Sequence, residues 1–149
     1  MKNHFIKISI TLIVLFLGLL SYKFAFQKGG ADGDGTITFI LIDQAGKEVI
    51  HDKLSYQENK PDGTKTTLFD ILYDQYDVAC ANNAFKPDKS CSVEIFSRGK
   101  IILSIEGVET DFFNNYLEIY HNGQYSNLGV LAITFKDGDE FTFKYKELV

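Results

Sequence analysis

Apolar positions along this 149-residue chain follow three different periods. From Ile8 to Tyr22 they run almost without interruption, and the stretch of 15 residues carries no charge. Lys2 and Lys7 lie ahead of it. A charged start followed by an apolar run is the pattern of an export segment. The run is shorter than the roughly 20 residues that span a bilayer comfortably. Phe24, Ala25 and Phe26 extend it if Lys23 snorkels to the interface. No A-x-A cleavage site follows, and no cysteine suited to lipid attachment lies nearby. Residues 1–27 therefore read as an uncleaved signal-anchor, with a cleaved signal peptide as the alternative. The next eight residues, KGGADGDG at 28–35, read as a Gly/Asp linker with nothing to bury. Residues 36–149 then form the folded domain.

Within that domain the period shortens. TITFILID, Thr36 to Asp43, is rich in Thr, Ile and Phe and reads as a strand. Gln44 to Lys47 is a turn, and Glu48 to Leu54 is the return strand. PDGT at 61–64 is another turn signal. It leads into the one helical period of the domain, with Leu68, Ile71, Leu72 and Tyr76 on one face. Thr66 or Thr67 suits the cap, and Asp70 and Asp74 are expected to face water. At about three turns the helix needs a sheet to pack on. Ser92 to Phe96, Lys100 to Ile105, Tyr116 to His121, Ala132 to Phe135 and Glu140 to Lys146 read as further strands. KIILSI, nearly all apolar, suits a central position. FTFKYK alternates, so one of its faces is buried and the other wet. Asn122-Gly123 is the strongest short hairpin signal. A hairpin, a crossing helix and further strands make an α+β fold, a β-grasp-like mixed sheet with one packed helix, preceded by an N-terminal hydrophobic helix.

Charge sharpens the division. All 20 acidic residues follow residue 30, against 11 of the 15 basic ones, so the exported part carries a net −9. Such a domain lacks the basic surface that nucleic acid needs, and nucleic acid is not expected as a partner. The positive head fits a cytoplasmic start. The domain is thus expected on the outer side of the cell membrane, or secreted if the head is cleaved. Two cysteines, Cys80 and Cys91, bracket CANNAFKPDKSC. Outside the cytoplasm they are a candidate disulfide, with two unpaired thiols as the alternative. They are too few for a closed zinc site.

RGKIILSIEGVETD, YLEIYHNGQYSNLGV and ITFKDGDEFTFKYKE occur in this order, preceded by TLFDIL at 67–72. In order and spacing they resemble the transcobalamin-like C-terminal domain family, over roughly residues 36–146. That resemblance implies a β-grasp-like domain outside a bacterial cell membrane. It also implies a domain that, in the cobalamin carriers, closes over the upper face of a corrinoid held by a helical barrel. This chain has no room for the barrel, so it would supply half of such a site. The family usually carries a tryptophan on the strand before the NG turn. Here there is none, and Tyr116 or Tyr120 takes its place.

Catalytic chemistry is not evident. No G-x-S-x-G elbow, P-loop or H-E-x-x-H occurs. Asp137, Asp139 and Glu140 cluster in what reads as a solvated turn, and His121 stands alone beside the NG hairpin. Asp32 and Asp34 begin like a calcium loop, but its sixth and twelfth positions would be Ile37 and Asp43, not the required Gly and Glu. No metal site is expected, and the protein is not expected to be an enzyme. HNGQYSNLGV, 121–130, is more than a turn: Tyr, Ser and Asn make an adaptable recognition surface on a rigid scaffold. Tyr116, Tyr120, Asn122, Tyr125, Asn127 and Leu128 are the candidate ligand-binding residues, near Phe112 and Phe113 in sequence. The expected function is an extracytoplasmic ligand-binding module, with a corrinoid as a candidate ligand, presented to a membrane transporter or another surface protein. The alternative is an adhesive domain that pairs through a sheet edge.

Overall fold

A computed structural model describes residues 10–16, 29–95 and 99–148. Residues 10–16 are helical, as part of α1. Most of the apolar run from Ile8 to Tyr22, and with it the expected anchor, lies outside the described residues. Among those described, no helix is long and apolar enough to cross a membrane.

The fold is mostly β, with mixed sheets. A five-stranded sheet is built from β2 (Gly35–Ile42), β3 (Glu48–Tyr56), β8 (Asn115–His121), β9 (Gln124–Tyr125) and β11 (Glu140–Glu147). Its order is β3-β2-β11-β8-β9. The last long strand sits in the middle, parallel to β2 and antiparallel to β8. Alternation puts it there. Phe141 and Phe143 are buried on the inner face, whereas Lys144 and Lys146 stand on the outer one. Phe39 on β2 meets Phe143 edge-on at 5.3 Å. Burying one such ring contributes about 1.5–3 kcal/mol.

Helix α2 (Leu68–Gln75) starts where the sequence predicts, for a chemical reason. Thr67 is the N-cap and Asp70 completes a capping box with it. Asp70 therefore does not simply face water: Oδ2 accepts from the Thr67 amide at 2.8 Å, and Lys60 Nζ lies 3.3 Å from Oδ1. Leu68, Phe69, Ile71 and Leu72 are buried in the core.

A second sheet of four strands, in the order β5-β4-β6-β7, comprises β4 (Val78–Ala81), β5 (Pro87–Asp88), β6 (Ile102–Ile105) and β7 (Val108–Glu109). KIILSI does supply an internal strand, β6. Ser92 to Ile95, the described part of the strand expected over Ser92 to Phe96, does not form it. Ile95 makes only an isolated bridge to Gly99. Cys91 adopts a left-handed φ of 49° with its sulfur bonded to Cys80, which turns the chain away from a ladder.

The expected linker is corrected too. Gly30–Asp32 forms β1, which pairs in parallel with β10 (Thr134–Lys136), and Ala31 is fully buried. The residues that suggested flexibility are small because the space is small. A Cβ on Gly29 would lie 2.2 Å from the carbonyl oxygen of Ala132.

The Cys80–Cys91 disulfide closes a loop with a sequence separation of 11. In the chain-entropy description a loop of this size is worth roughly 2–3 kcal/mol. Reduction should lower the melting temperature yet leave a folded protein, because the five-stranded sheet does not pass through that loop. Unchanged melting in reductant would contradict this.

Candidate functional site

Strand alternation assembles the site on the outer face of the five-stranded sheet. Tyr116, Glu118 and Tyr120 are two residues apart on β8, so they share a face. The hairpin at Asn122-Gly123 returns the chain so that Tyr125 lies directly opposite Tyr120. Their ring centroids are 6.1 Å apart, with the planes at 76°. The Tyr116 hydroxyl donates to Glu118 Oε1 at 3.2 Å and the Tyr120 hydroxyl to Oε2 at 2.9 Å. One carboxylate thus orients two rings. Burial, then the nearby Glu118 charge, raises the Tyr116 hydroxyl above the ordinary tyrosine range. For Tyr120 the hydrogen bond to Glu118 is the leading cause of a shift in the same direction. Across the sheet, Tyr120 pairs with Thr142, Thr142 with Ile40, and Ile40 with His51. This row joins the tyrosine side of the sheet to its β3 edge, with Ile40 buried within it.

Not all the predicted residues join the tyrosine side. Tyr125 does, at 60% exposure, but Leu128, 51% exposed, and Asn127, also exposed, lie beyond the β8–β9 pairing. Asn122 is occupied instead. Its amide nitrogen donates to Asp139 at 3.0 Å, its side-chain oxygen accepts from the Glu140 amide at 2.8 Å, and its φ is 50°. Its role is to fasten the hairpin. Ser126 and Leu128 form a local hydroxyl turn, with the Leu128 amide 3.2 Å from Ser126 Oγ.

Two features were missed in the sequence. Asp139 is not in a solvated turn but buried, at 6% exposure. It accepts from Asn122, from His121 Nε2 at 2.8 Å and from the Lys136 amide at 3.1 Å. His121 in turn stacks on Phe141 at 4.5 Å. The histidine is thus held as part of the scaffold. The other feature is a cluster of Phe85, Phe112 and Phe113, in which Phe113 is 63% exposed. Phe85 and Phe112 both have positive φ. Phe112 and Phe113 stand outside the core cluster formed by the sheets and α2. A concave groove of about 300 Å³ lies elsewhere, between the end of β3 and α2, lined by Tyr56, Asn59, Lys60, Asp70 and Gln75 among others. It does not include residues 112–128.

Exposure sets the expected behaviour of the loop. Tyr125→Ala and Leu128→Ala should each change stability by no more than about 0.5 kcal/mol. Gly123 has φ +79°, which a β-branched residue resists, so Gly123→Val should destabilise the hairpin. Thermal melts of the three variants check this. A cost of several kcal/mol at Tyr125 or Leu128 would make the loop structural.

The chain belongs to the family described as a domain of unknown function, DUF4430, which matches residues 65–147. No curated protein matches it. Among solved structures, haptocorrin in complex with Cbi aligns with a TM-score of 0.51 at 10% identity, covering 78% of this chain. This chain spans only 26% of that one. A Ruminococcus gnavus protein, titled as a candidate metal-binding protein, aligns with a TM-score of 0.50 at 17% identity, covering 77% of this chain and 99% of that one. Identities this low establish likeness of fold.

Proposed function

We propose that this domain is a non-catalytic ligand-binding module whose contact surface is the outer face of the five-stranded sheet around Tyr116, Tyr120 and Tyr125. The observation that carries the reading is the assembly of half-buried Tyr116 and Tyr120 on Glu118, with the exposed Tyr125 ring against Tyr120, outside the core. Exposed aromatic side chains often dominate the energy of an interface. The strand order supports a β-grasp reading: a first hairpin, a helix, and a last long strand inserted beside the first. The fold likeness to haptocorrin supports a transcobalamin-like relationship and makes a corrinoid the first ligand to test. The outer face of a sheet suits one side of a wide planar ligand, with a second protein closing the other. On this reading residues 1–27 anchor or export the domain, residues 36–149 act outside the membrane, and a transporter or surface protein is the partner.

Equilibrium dialysis of the full chain against a panel of corrinoids tests the proposal. Saturable binding should appear and should weaken at least tenfold in Tyr125→Ala, which the exposure of that ring marks as neutral for folding. Binding that is unaltered by Tyr125→Ala and by Tyr120→Ala would place the ligand elsewhere.

One observation favours a second reading. β3 is a nine-residue edge strand, Glu48–Tyr56, and an extended partner strand could pair with it. Its edge carries Glu48, His51, Asp52 and Lys53, and charge of this kind is a common defence against such pairing. Lys53→Pro would block strand addition and leave the tyrosine face intact, separating the two readings.

A further inference from the structure

We infer that the corner formed by Tyr120 and Tyr125, with Glu118 beside it, binds an organic cation of the quaternary ammonium class. The inference rests on the tyrosine face being a ligand surface and specifies the chemistry that face selects. The two rings pack edge to face, 6.1 Å apart and inclined at 76°, which leaves a negative ring face of the exposed Tyr125 open at the corner. A cation within about 6 Å of a ring centroid is attracted by the negative face of the ring, and quaternary ammonium groups are the usual ligands of such walls. Tyr125 is 60% exposed, so the corner is accessible.

Charge supports a cation over an anion. Glu118 lies directly across the sheet from Lys144. Yet among the described residues no ion pair involves Glu118, and its two oxygens accept the hydroxyls of Tyr116 and Tyr120 instead. Its negative charge therefore remains available at the rings. Its charge also contributes to the upward shifts of the two tyrosine hydroxyls, behind burial at Tyr116 and behind the hydrogen bond and burial at Tyr120. Lys144 and Lys146, on the outer face of β11 beside Glu118 and Tyr116, add a second preference. A zwitterion with a phosphate a few bonds from its ammonium group, such as phosphocholine, can place the cation in the corner and the anion toward these lysines.

The chain has eight tyrosines and no tryptophan, so ring signals report the site directly. The full chain, in a detergent without a choline headgroup, is titrated with tetramethylammonium chloride and with phosphocholine at constant ionic strength. Tert-butanol serves as the neutral control of similar shape, and ring ¹H–¹³C shifts are the readout. Saturable shifts should appear at Tyr120 and Tyr125 with Kd on the order of tens of millimolar for the simple cation, the affinity that about 2 kcal/mol from ring and carboxylate together provides. Phosphocholine should bind several-fold more tightly, and that preference should disappear in the Lys144→Gln/Lys146→Gln double variant. Glu118→Gln should weaken both cations at least fivefold, whereas Tyr125→Phe should retain binding. An equal response to tert-butanol, or no saturable shift with either cation, would overturn the inference. Corrinoid binding without cation binding would refute this inference and leave the proposed function standing; cation binding without corrinoid binding would do the reverse for the corrinoid.

Discussion

Asp139→Ala should destabilise the protein by about 3 kcal/mol or more, the cost of removing the acceptor from a buried, charge-assisted network. The substitution strands three donors at once: the Asn122 side-chain amide, His121 Nε2 and the Lys136 amide. It also loosens the join between the β8–β9 hairpin and the β10–β11 turn, because Asn122 is shared by both. The network has a pH signature. Burial by itself would raise the Asp139 carboxyl, but hydrogen bonds from Asn122, His121 and the Lys136 amide outweigh it and hold the group below the ordinary aspartate range. A carboxyl depressed in the folded state contributes stability that is fully present above its unfolded value, near 3.9. That contribution is lost as pH falls through the folded value. Denaturant melts from pH 7 downward should therefore show the wild type losing its advantage over Asp139→Asn in the acid range. Parallel curves for the two proteins throughout would contradict the network.

Gly29→Ala is expected to have a comparable effect for a different reason. The new Cβ would sit 2.2 Å from the Ala132 oxygen and 2.5 Å from the Ile133 carbonyl carbon, both backbone atoms that cannot swing away. Overpacking of this kind costs about 1–3 kcal/mol, and more where backbone must shift. β1 would have to leave β10, giving up the hydrogen bonds from the Gly29 amide to Leu131 and from the Gly30 amide to Ile133, at 2.9 and 3.0 Å. Gly33→Ala is the control. Nothing lies within 4 Å of its Cβ position, although its φ of +82° adds backbone strain alone. Equal melting temperatures for wild type and Gly29→Ala would show that β1 is dispensable.

What could be read in the sequence was what local pattern encodes. FTFKYK announced its buried and wet faces because strand period maps directly onto side-chain direction. TLFDIL carried both its apolar face and its cap. Asn122-Gly123 fixed the hairpin that brings Tyr125 onto Tyr120. The remainder depended on partners far along the chain. Asp139 reads as a solvated residue in KDGD because His121 and Asn122, which bury it, lie 18 and 17 positions away. Gly29 and Gly30 read as linker because the signal for close packing is a missing side chain. Phe112 and Phe113 carry an apolar composition that implies a core, and only their meeting with Phe85, across two loops, shows a surface cluster. In the candidate site, the tyrosines were legible as a group. The role of Glu118 in orienting them was not, since it depends on one carboxylate reaching both neighbours on its own strand.

The proposed ligand surface on β8 and β9 is tested most directly by locating a bound corrinoid. Tyrosine ring resonances of the full chain, recorded during titration with cobinamide, give that location residue by residue. Progressive, saturable changes are expected at Tyr116, Tyr120 and Tyr125, with Tyr56 and Tyr76, on the opposite side of the sheet, unmoved. Changes concentrated at Tyr56, which lines the groove along α2, with the β8–β9 tyrosines silent, would contradict the proposed surface.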